Sequence, residues 1–439
     1  MRKLVFVLIL LGCLALAVGC GGGSSSSSSG GGSSSSGGST SSAANVLSIV
    51  VDGGPTANEP GGVIYSNAAF ATVTICAPGS STNCATVDHL LVDTGSFGLR
   101  VLESEVASLN LPTVNASNGS AAYDCASFAD GSFLWGPVQG ATVTLAGETA
   151  ANLPIQVVSS STANIPSSCS TNLSEDQGSQ SGLGANGILG VGLEPQDCGP
   201  ACAPGGLSPP PPVYYTCSSS SCTLAYVDEA NQVTNPVVLF STDNNGVIVE
   251  LPAISESAAT VTGSLIFGIG TESNNQLASS ATVFTTLCDD FTTIFKGTTL
   301  GPSVSNDECT GPGSFIDSGS NGLYFQNLTN IPLCPSSTPA GNLSGFYCPA
   351  SLTNYSATNV DPNHPSTTKV TDFSVDNALN LFTGASTSSD AAFSTIGGLN
   401  PAGYGFDWGL PFFYGVNLYS AIDGQIVSSA PQSPPWWAY

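Results

Sequence analysis

Positive charge is almost missing from this chain. Its 439 residues hold five Lys and Arg against thirty Asp and Glu, a net charge of −25. Arg2 and Lys3 precede an apolar run, so only Arg100, Lys296 and Lys369 remain for everything after it. So acidic a surface repels nucleic acid and anionic lipid, which excludes nucleic-acid binding as an expected role. Histidine is nearly as scarce: only His89 and His364 occur, and neither sits beside a CxxC or accompanies a serine or cysteine nucleophile motif. Zinc centres and Ser-His or Cys-His hydrolysis are set aside on that ground, and both histidines read as surface or satisfied strand residues. Charged residues of both signs reach only 8% while apolar residues reach 41%, which excludes disorder in favour of a packed domain. With few ion pairs that need ionised carboxylates, acid should remove little of the fold's stability.

A long hydrophobic run is missing too. The apolar stretch 4–18 behind Arg2 and Lys3 is short for a permanent span and reads as the core of an export signal, residues 1–19. Ala17-Val18-Gly19-Cys20 resembles a bacterial lipoprotein cleavage box, with Cys20 as the lipidated residue. Residues 21–42 are nearly pure Gly and Ser, a flexible coil reaching about 25 Å. Residues 20–43 are therefore expected to hold a domain clear of a membrane, on an outer membrane or cell surface. Of fourteen cysteines, Cys13 leaves with the signal and Cys20 carries lipid. The remaining twelve, in an exported chain, read as disulfides. Joining neighbours gives Cys76–Cys84, Cys125–Cys169, Cys198–Cys202, Cys217–Cys222, Cys288–Cys309 and Cys334–Cys348, a connectivity that spacing alone does not fix.

What is abundant is alternating, β-branched sequence. Segments 69–75, 86–92, 138–145, 153–158, 247–251, 264–269 and 283–287 read as strands, separated by Gly, Asn, Ser and Pro clusters. Helical periodicity is scarce, so the expected class is all-β.

Two segments repeat one another. Leu91-Val92-Asp93-Thr94-Gly95-Ser96-Phe97-Gly98-Leu99 matches Phe315-Ile316-Asp317-Ser318-Gly319-Ser320-Asn321-Gly322-Leu323 at an offset of 317 − 93 = 224 residues. That distance is too long for a solenoid period and predicts two related lobes, each giving one carboxylate. Buried strands would lead to each Asp, and Gly95 and Gly319 would let the turns approach closely. Thr94 and Ser318 can bond across the interface, while Ser96 and Ser320 can support the carboxylates. Two carboxylates a few Å apart cannot both ionise, so they titrate as a unit able to act as general base and general acid.

These residues resemble the pepsin-type aspartic proteases. Phe128-Ala129-Asp130-Gly131-Ser132 is similar to that family's flap hairpin, and Asn186-Gly187-Ile188-Leu189-Gly190-Val191-Gly192 to its segment under the first catalytic loop. Gly263-Ser264-Leu265-Ile266-Phe267-Gly268 and Phe406-Asp407-Trp408-Gly409 resemble its later strands. The resemblance implies a bilobal fold with pseudo-two-fold symmetry, with lobes at 44–235 and 236–439. It also implies an endopeptidase with Asp93 and Asp317 as the catalytic pair, no cofactor and no metal. Phe128, Asp130, Gly131 and Ser132 would close over a peptide or protein substrate paired in strand fashion, and a monomer is expected. Three positions depart from the family. Phe128 stands where a tyrosine is usual, Arg100 replaces a tryptophan, and Asp407-Trp408 replaces two aliphatics. Arg100 is expected to point outward as a solvated charge; turned inward near the dyad, it would lower the acids' pKa values. The alternative to an active protease is a catalytically inactive pepsin-like lipoprotein that binds or serves a structural role.

Overall fold

The computed structural model describes residues 43–57, 59, 62–128, 131–159, 161, 164–172, 176–305, 308–400 and 405–439. The signal at 1–19, Cys20 with its tether to residue 42, and Ala129 and Asp130 of the expected flap lie outside the described residues.

The chain is mostly β. Among the described residues the longest helix, Ala378–Thr383, has six residues, and no helix is long and apolar enough to cross a membrane. Each expected strand segment overlaps an observed strand. In the first half these are β1 (Val46–Val51), β2 (Phe70–Cys76), β3 (Cys84–Asp93), β4 (Phe97–Leu102), β5 (Ala122–Ser127), β6 (Phe133–Leu145), β7 (Glu148–Val158) and β8 (Gly187–Val191). Strands β6, β7, β4, β8, β3 and β2 pair in that order, and β2 pairs back onto β6 from Thr74↔Thr144 to Cys76↔Thr142. The result is a closed six-stranded barrel, which removes sheet edges. It is filled by aliphatic side chains, among them Val73, Ile75, Val87, Leu90, Leu99, Val101, Val143 and Leu189, all at most 2% exposed. Each such buried side chain contributes about 1.5–3 kcal/mol of transfer free energy.

Strand β1 joins the halves. It pairs with β2 on one side and with Val261–Phe267 on the other, from Val46↔Ile266 to Val51↔Val261. The sheet then continues through Gly246–Glu250, Asn417–Ala421, Trp436–Ala438 and Val283–Thr285. The C-terminal aromatics are thus part of the joining sheet itself, with Trp436 and Trp437 buried in its last strands.

Around the two aspartates the strand scheme repeats. In the first half β3 runs parallel to β8, β8 antiparallel to β4, and β4 parallel to β7. In the second, Phe315–Ile316 runs parallel to Asp407–Trp408, Asp407–Trp408 antiparallel to Leu323–Phe325, and Leu323–Phe325 parallel to Gly397–Leu399. The registers match residue by residue. Leu99 faces Leu189 as Leu323 faces Trp408, and Arg100 faces Ile188 as Tyr324 faces Asp407. The offset of 224 therefore holds beyond the turns, since 323 − 99 and 324 − 100 both give it.

The second half packs aromatically where the first packs aliphatically. Phe325 stacks on Phe406 at 5.0 Å and Phe406 on Trp408 at 4.8 Å, with Phe295 and Phe373 edge-on to Phe406. A four-stranded sheet of Thr298–Leu300, Thr292–Phe295, Thr353–Val360 and Thr368–Val375 covers this cluster. Its long hairpin was not among the expected strands, because Asn, Ser and Thr dominate its alternation. All six expected disulfides are formed. So many disulfides mark an exported protein matured in an oxidising environment.

Candidate active site

Asp93 ends β3, behind the buried Leu90, Leu91 and Val92; Asp317 follows Phe315–Ile316. The two carboxyls are hydrogen-bonded to each other, with Asp93 2% and Asp317 0% exposed. Glycine is required at both turns. A Cβ on Gly95 would lie 2.6 Å from the Asp317 carboxyl carbon, and one on Gly319 would lie 2.8 Å from Oδ1 of Asp93. Any side chain there would drive the acids apart.

The turns are locked crosswise. Thr94 Oγ1 donates to the Ile316 carbonyl (3.0 Å) and accepts from the Ser318 amide (3.0 Å). Ser318 Oγ donates to the Val92 carbonyl (2.7 Å) and accepts from the Thr94 amide (3.1 Å). Four backbone groups of the two turns and their leading strands are bonded across in this way, which fixes the two acids relative to each other.

Each carboxyl is held from its own turn. The Gly95 amide donates to Asp93 Oδ1 (2.9 Å) and Ser96 Oγ donates to Oδ2. The Gly319 amide donates to Asp317 Oδ1 (2.7 Å) and Ser320 Oγ to Oδ2 (2.9 Å). Burial pushes Asp93 above the usual carboxylate range, partly offset by the bonds from Asp317, Ser96 and Gly95 and by the charge of Arg100. Burial, then the neighbouring acids Asp93 and Asp407, push Asp317 well above that range. Such a pair holds one shared proton over a wide pH window and titrates as a unit.

A third element braces the site. Asn67, fully buried with φ 54°, donates to the Asn321 and Phe393 carbonyls and accepts from the Phe393 amide and the Tyr414 hydroxyl. It ties the segment before β2 to the Asp317 turn. Sequence reasoning did not single it out, since an isolated Asn before a strand reads as turn punctuation.

Arg100 corrects an expectation. It does not point outward but is 1% exposed, with its guanidinium 3.0 Å from Asp197 and 3.5 Å from Asp124. It also donates to the Phe97 carbonyl at 2.6 Å. Tyr214 donates to the other oxygen of Asp197 and accepts from the Val233 amide. Burial raises Asp197 to about 6, against the pull of Arg100, and burial with the charge of Asp197 raises Asp124 well above the usual range. Asp124 lies on β5, so this buried cluster links the strand after the first turn to the strand leading to the expected flap.

That hairpin forms between β5 and β6. Phe128 donates its amide to the Ser132 carbonyl (2.8 Å), and Gly131, at φ 90°, donates to the Phe128 carbonyl. The Phe128 ring is buried in a cluster with Tyr65, Phe70, Leu91, Leu134 and Ile188. His89, on β3 as expected of a strand residue, bonds Asp52 through Nε2 at 3.3 Å, and its Nδ1 lies 3.2 Å from Asp88 Oδ1.

Sequence reasoning named Asp407 only as a packing change. In the structure it is fully buried with Oδ2 2.6 Å from Ser320 Oγ, so it stands one hydroxyl away from Asp317. The signal for this was the Asp at a strand position otherwise filled by an aliphatic.

The fold and site together describe a mostly β, disulfide-bonded protein with two aspartates held on interlocked turns. The chain belongs to the family described as a protein of unknown function, DUF3443, which matches residues 41–439. No curated protein matches it in sequence. Among solved structures it is similar to the crystal structure of aspartic proteinase from Irpex lacteus. That match has 18% identity, covers 86% of this chain and 94% of the other, and has a TM-score of 0.41.

Proposed function

We propose that the protein is an aspartic endopeptidase in which Asp93 and Asp317 activate water against a peptide bond. The observation that carries this reading is the hydrogen-bonded pair of buried carboxyls on two cross-bonded Asp-x-Gly-Ser turns. In the reaction the ionised acid takes a proton from water as its oxygen attacks the carbonyl carbon. The protonated acid gives its proton to the carbonyl oxygen, forming a tetrahedral gem-diol. Collapse returns a hydroxyl proton to one acid, while the other protonates the departing amine. The repeated strand pairing supports two lobes, 44–235 and 236–439, related by a pseudo-two-fold axis, with strand β1 as their seam. A peptide would lie extended between them under the 128–133 hairpin. No step needs a cofactor. We further propose that lipid on Cys20 holds this domain, as a monomer, at an outer membrane or cell surface.

A catalytically inert binding protein is the second reading. Phe128 favours it: the residue lacks a phenolic hydroxyl, and its ring is packed into the first-half cluster. One experiment separates the two. Residues 44–439, oxidised, are incubated with a diverse peptide library from pH 3 to 7, beside Asp93→Ala, Asp317→Ala and pepstatin-treated samples. Cleavage in acid that both substitutions abolish supports the protease. Its absence from folded protein across that range supports the binding role.

A further inference from the structure

The two turns differ in what lies behind the serine that supports each acid. Ser320 Oγ lies 2.9 Å from Asp317 Oδ2 and 2.6 Å from Asp407 Oδ2, at hydrogen-bond distance from two carboxyls at once. A serine hydroxyl has one hydrogen and can donate to only one of them. The second contact is a hydrogen bond only if that carboxyl is protonated and donates to Ser320.

Asp407 is the one that fits. It is 0% exposed, and among the described residues its Oδ1 meets no donor. An ionised carboxylate in that place would leave a buried charge with a single bond, which is strongly unfavourable. Asp317, by contrast, receives the Gly319 amide as well as Ser320 and faces Asp93. The titratable groups bearing on Asp407 are Asp93 and Asp317, and both are acids that oppose its ionisation. The register places Ile188, a fully buried apolar residue, at the equivalent position beside the Asp93 turn.

We propose that Asp407 is a third carboxyl of the site, un-ionised at neutral pH, which donates to Ser320 so that the Ser320 hydroxyl donates to Asp317 and supports the dyad's single negative charge. Asp407 touches no substrate; it is a positioning residue. The relay runs from the Asp407 proton to Ser320 Oγ and from the Ser320 proton to Asp317 Oδ2, with no net transfer. The consequence for activity rests on the endopeptidase reading; the protonation state does not.

Two measurements test this on the oxidised 44–439 protein. The first is an infrared difference spectrum at pH 7 between wild type and Asp407→Asn, which needs no substrate. Loss of one un-ionised carboxylic acid C=O band is expected; loss of a carboxylate band overturns the proposal, whether or not the protein cleaves peptides. The second is the pH profile of kcat/KM for wild type, Asp407→Asn and Asp407→Ala. Asn keeps a neutral donor to Ser320, so its acid limb should stay in place. Ala removes the donor and should move that limb up by about one pH unit. A downward shift in both variants would mean that a negative charge had been removed, and would overturn the proposal. If Asp407→Ala does not fold, the Asn variant and the infrared band still decide. A protein with the acid band and no peptidase activity would retain Asp407's protonation and discard the endopeptidase reading.

Discussion

The two halves present the same turn on the same strand scheme, yet they place their polar exceptions at opposite positions. Where the first half has Arg100 facing Ile188, the second has Tyr324 facing Asp407. Arg100 compensates two buried carboxyls, Asp124 and Asp197, some distance behind the Asp93 turn. Among the described residues Asp407 has no cation partner, and it leans on Ser320 beside Asp317. A buried carboxyl can thus be accommodated in two ways, by a guanidinium or by keeping its proton. The first fixes structure; the second acts on the dyad. The backbone repeat, then, does not make the two aspartates equivalent.

The comparison can be broken most severely at the dyad itself. Asp93→Asn and Asp317→Asn should each lower kcat/KM by on the order of 10^3-fold or more, measured on any peptide the wild type cleaves, because each acid moves a proton in both the attack and the collapse. Arg100→Leu should come next. It leaves Asp124 and Asp197 buried without their cation and should cost about 3–5 kcal/mol in denaturant unfolding. Tyr324→Phe, at the matching position, loses one hydroxyl bond to Asn321 and should cost about 1 kcal/mol by the same measurement. Equal costs would mean that Arg100 is not acting as a counter-ion. Thr94→Val removes a hydroxyl bonded to Ile316 and Ser318, leaves both backbone groups unsatisfied, and should cost about 1–3 kcal/mol.

The smallest expected effect is on pH dependence, where the sign is informative. Asp93, Asp317, Asp407, Asp124 and Asp197 have raised folded-state pKa values, burial being the first cause in each. A folded state that binds its protons more tightly than the unfolded chain loses stability as pH rises from about 3.8 through the folded value, about 6 for Asp197. Asp52 and Asp361 act oppositely: their folded values are lowered, so their contribution is lost below 3.8. Burial alone would raise both, and hydrogen bonds outweigh it, chiefly from His89 at Asp52 and from Thr285 at Asp361. The raised group is larger, so the thermal midpoint at pH 4 should equal or exceed that at pH 7. A steep fall between pH 7 and pH 4 would contradict this.

Much of this molecule was legible before its structure. The repeated Asp-x-Gly-Ser motif carried its own spacing, and the disulfides paired with sequence neighbours because most of them close short loops. Strands with β-branched alternation announced themselves. Arg100 did not, because its partners lie 24 and 97 residues away and nothing local distinguishes an inward arginine from an outward one. Asp407 was visible as an oddity, but its bond to Ser320 spans 87 residues, and one acid among thirty carries no pattern. Asn67 depends on contacts up to 347 residues distant. What sequence hid was long-range polar pairing, which follows no period.

The central claim is that Asp93 and Asp317 act as one titrating unit on a peptide bond. The most direct test is the pH dependence of kcat/KM on a single defined peptide, for wild type and for each Asp→Asn variant. A bell with two limbs in wild type, abolished in both variants, is the predicted result. Cleavage that persists in either variant, or a profile with a single limb, would contradict it.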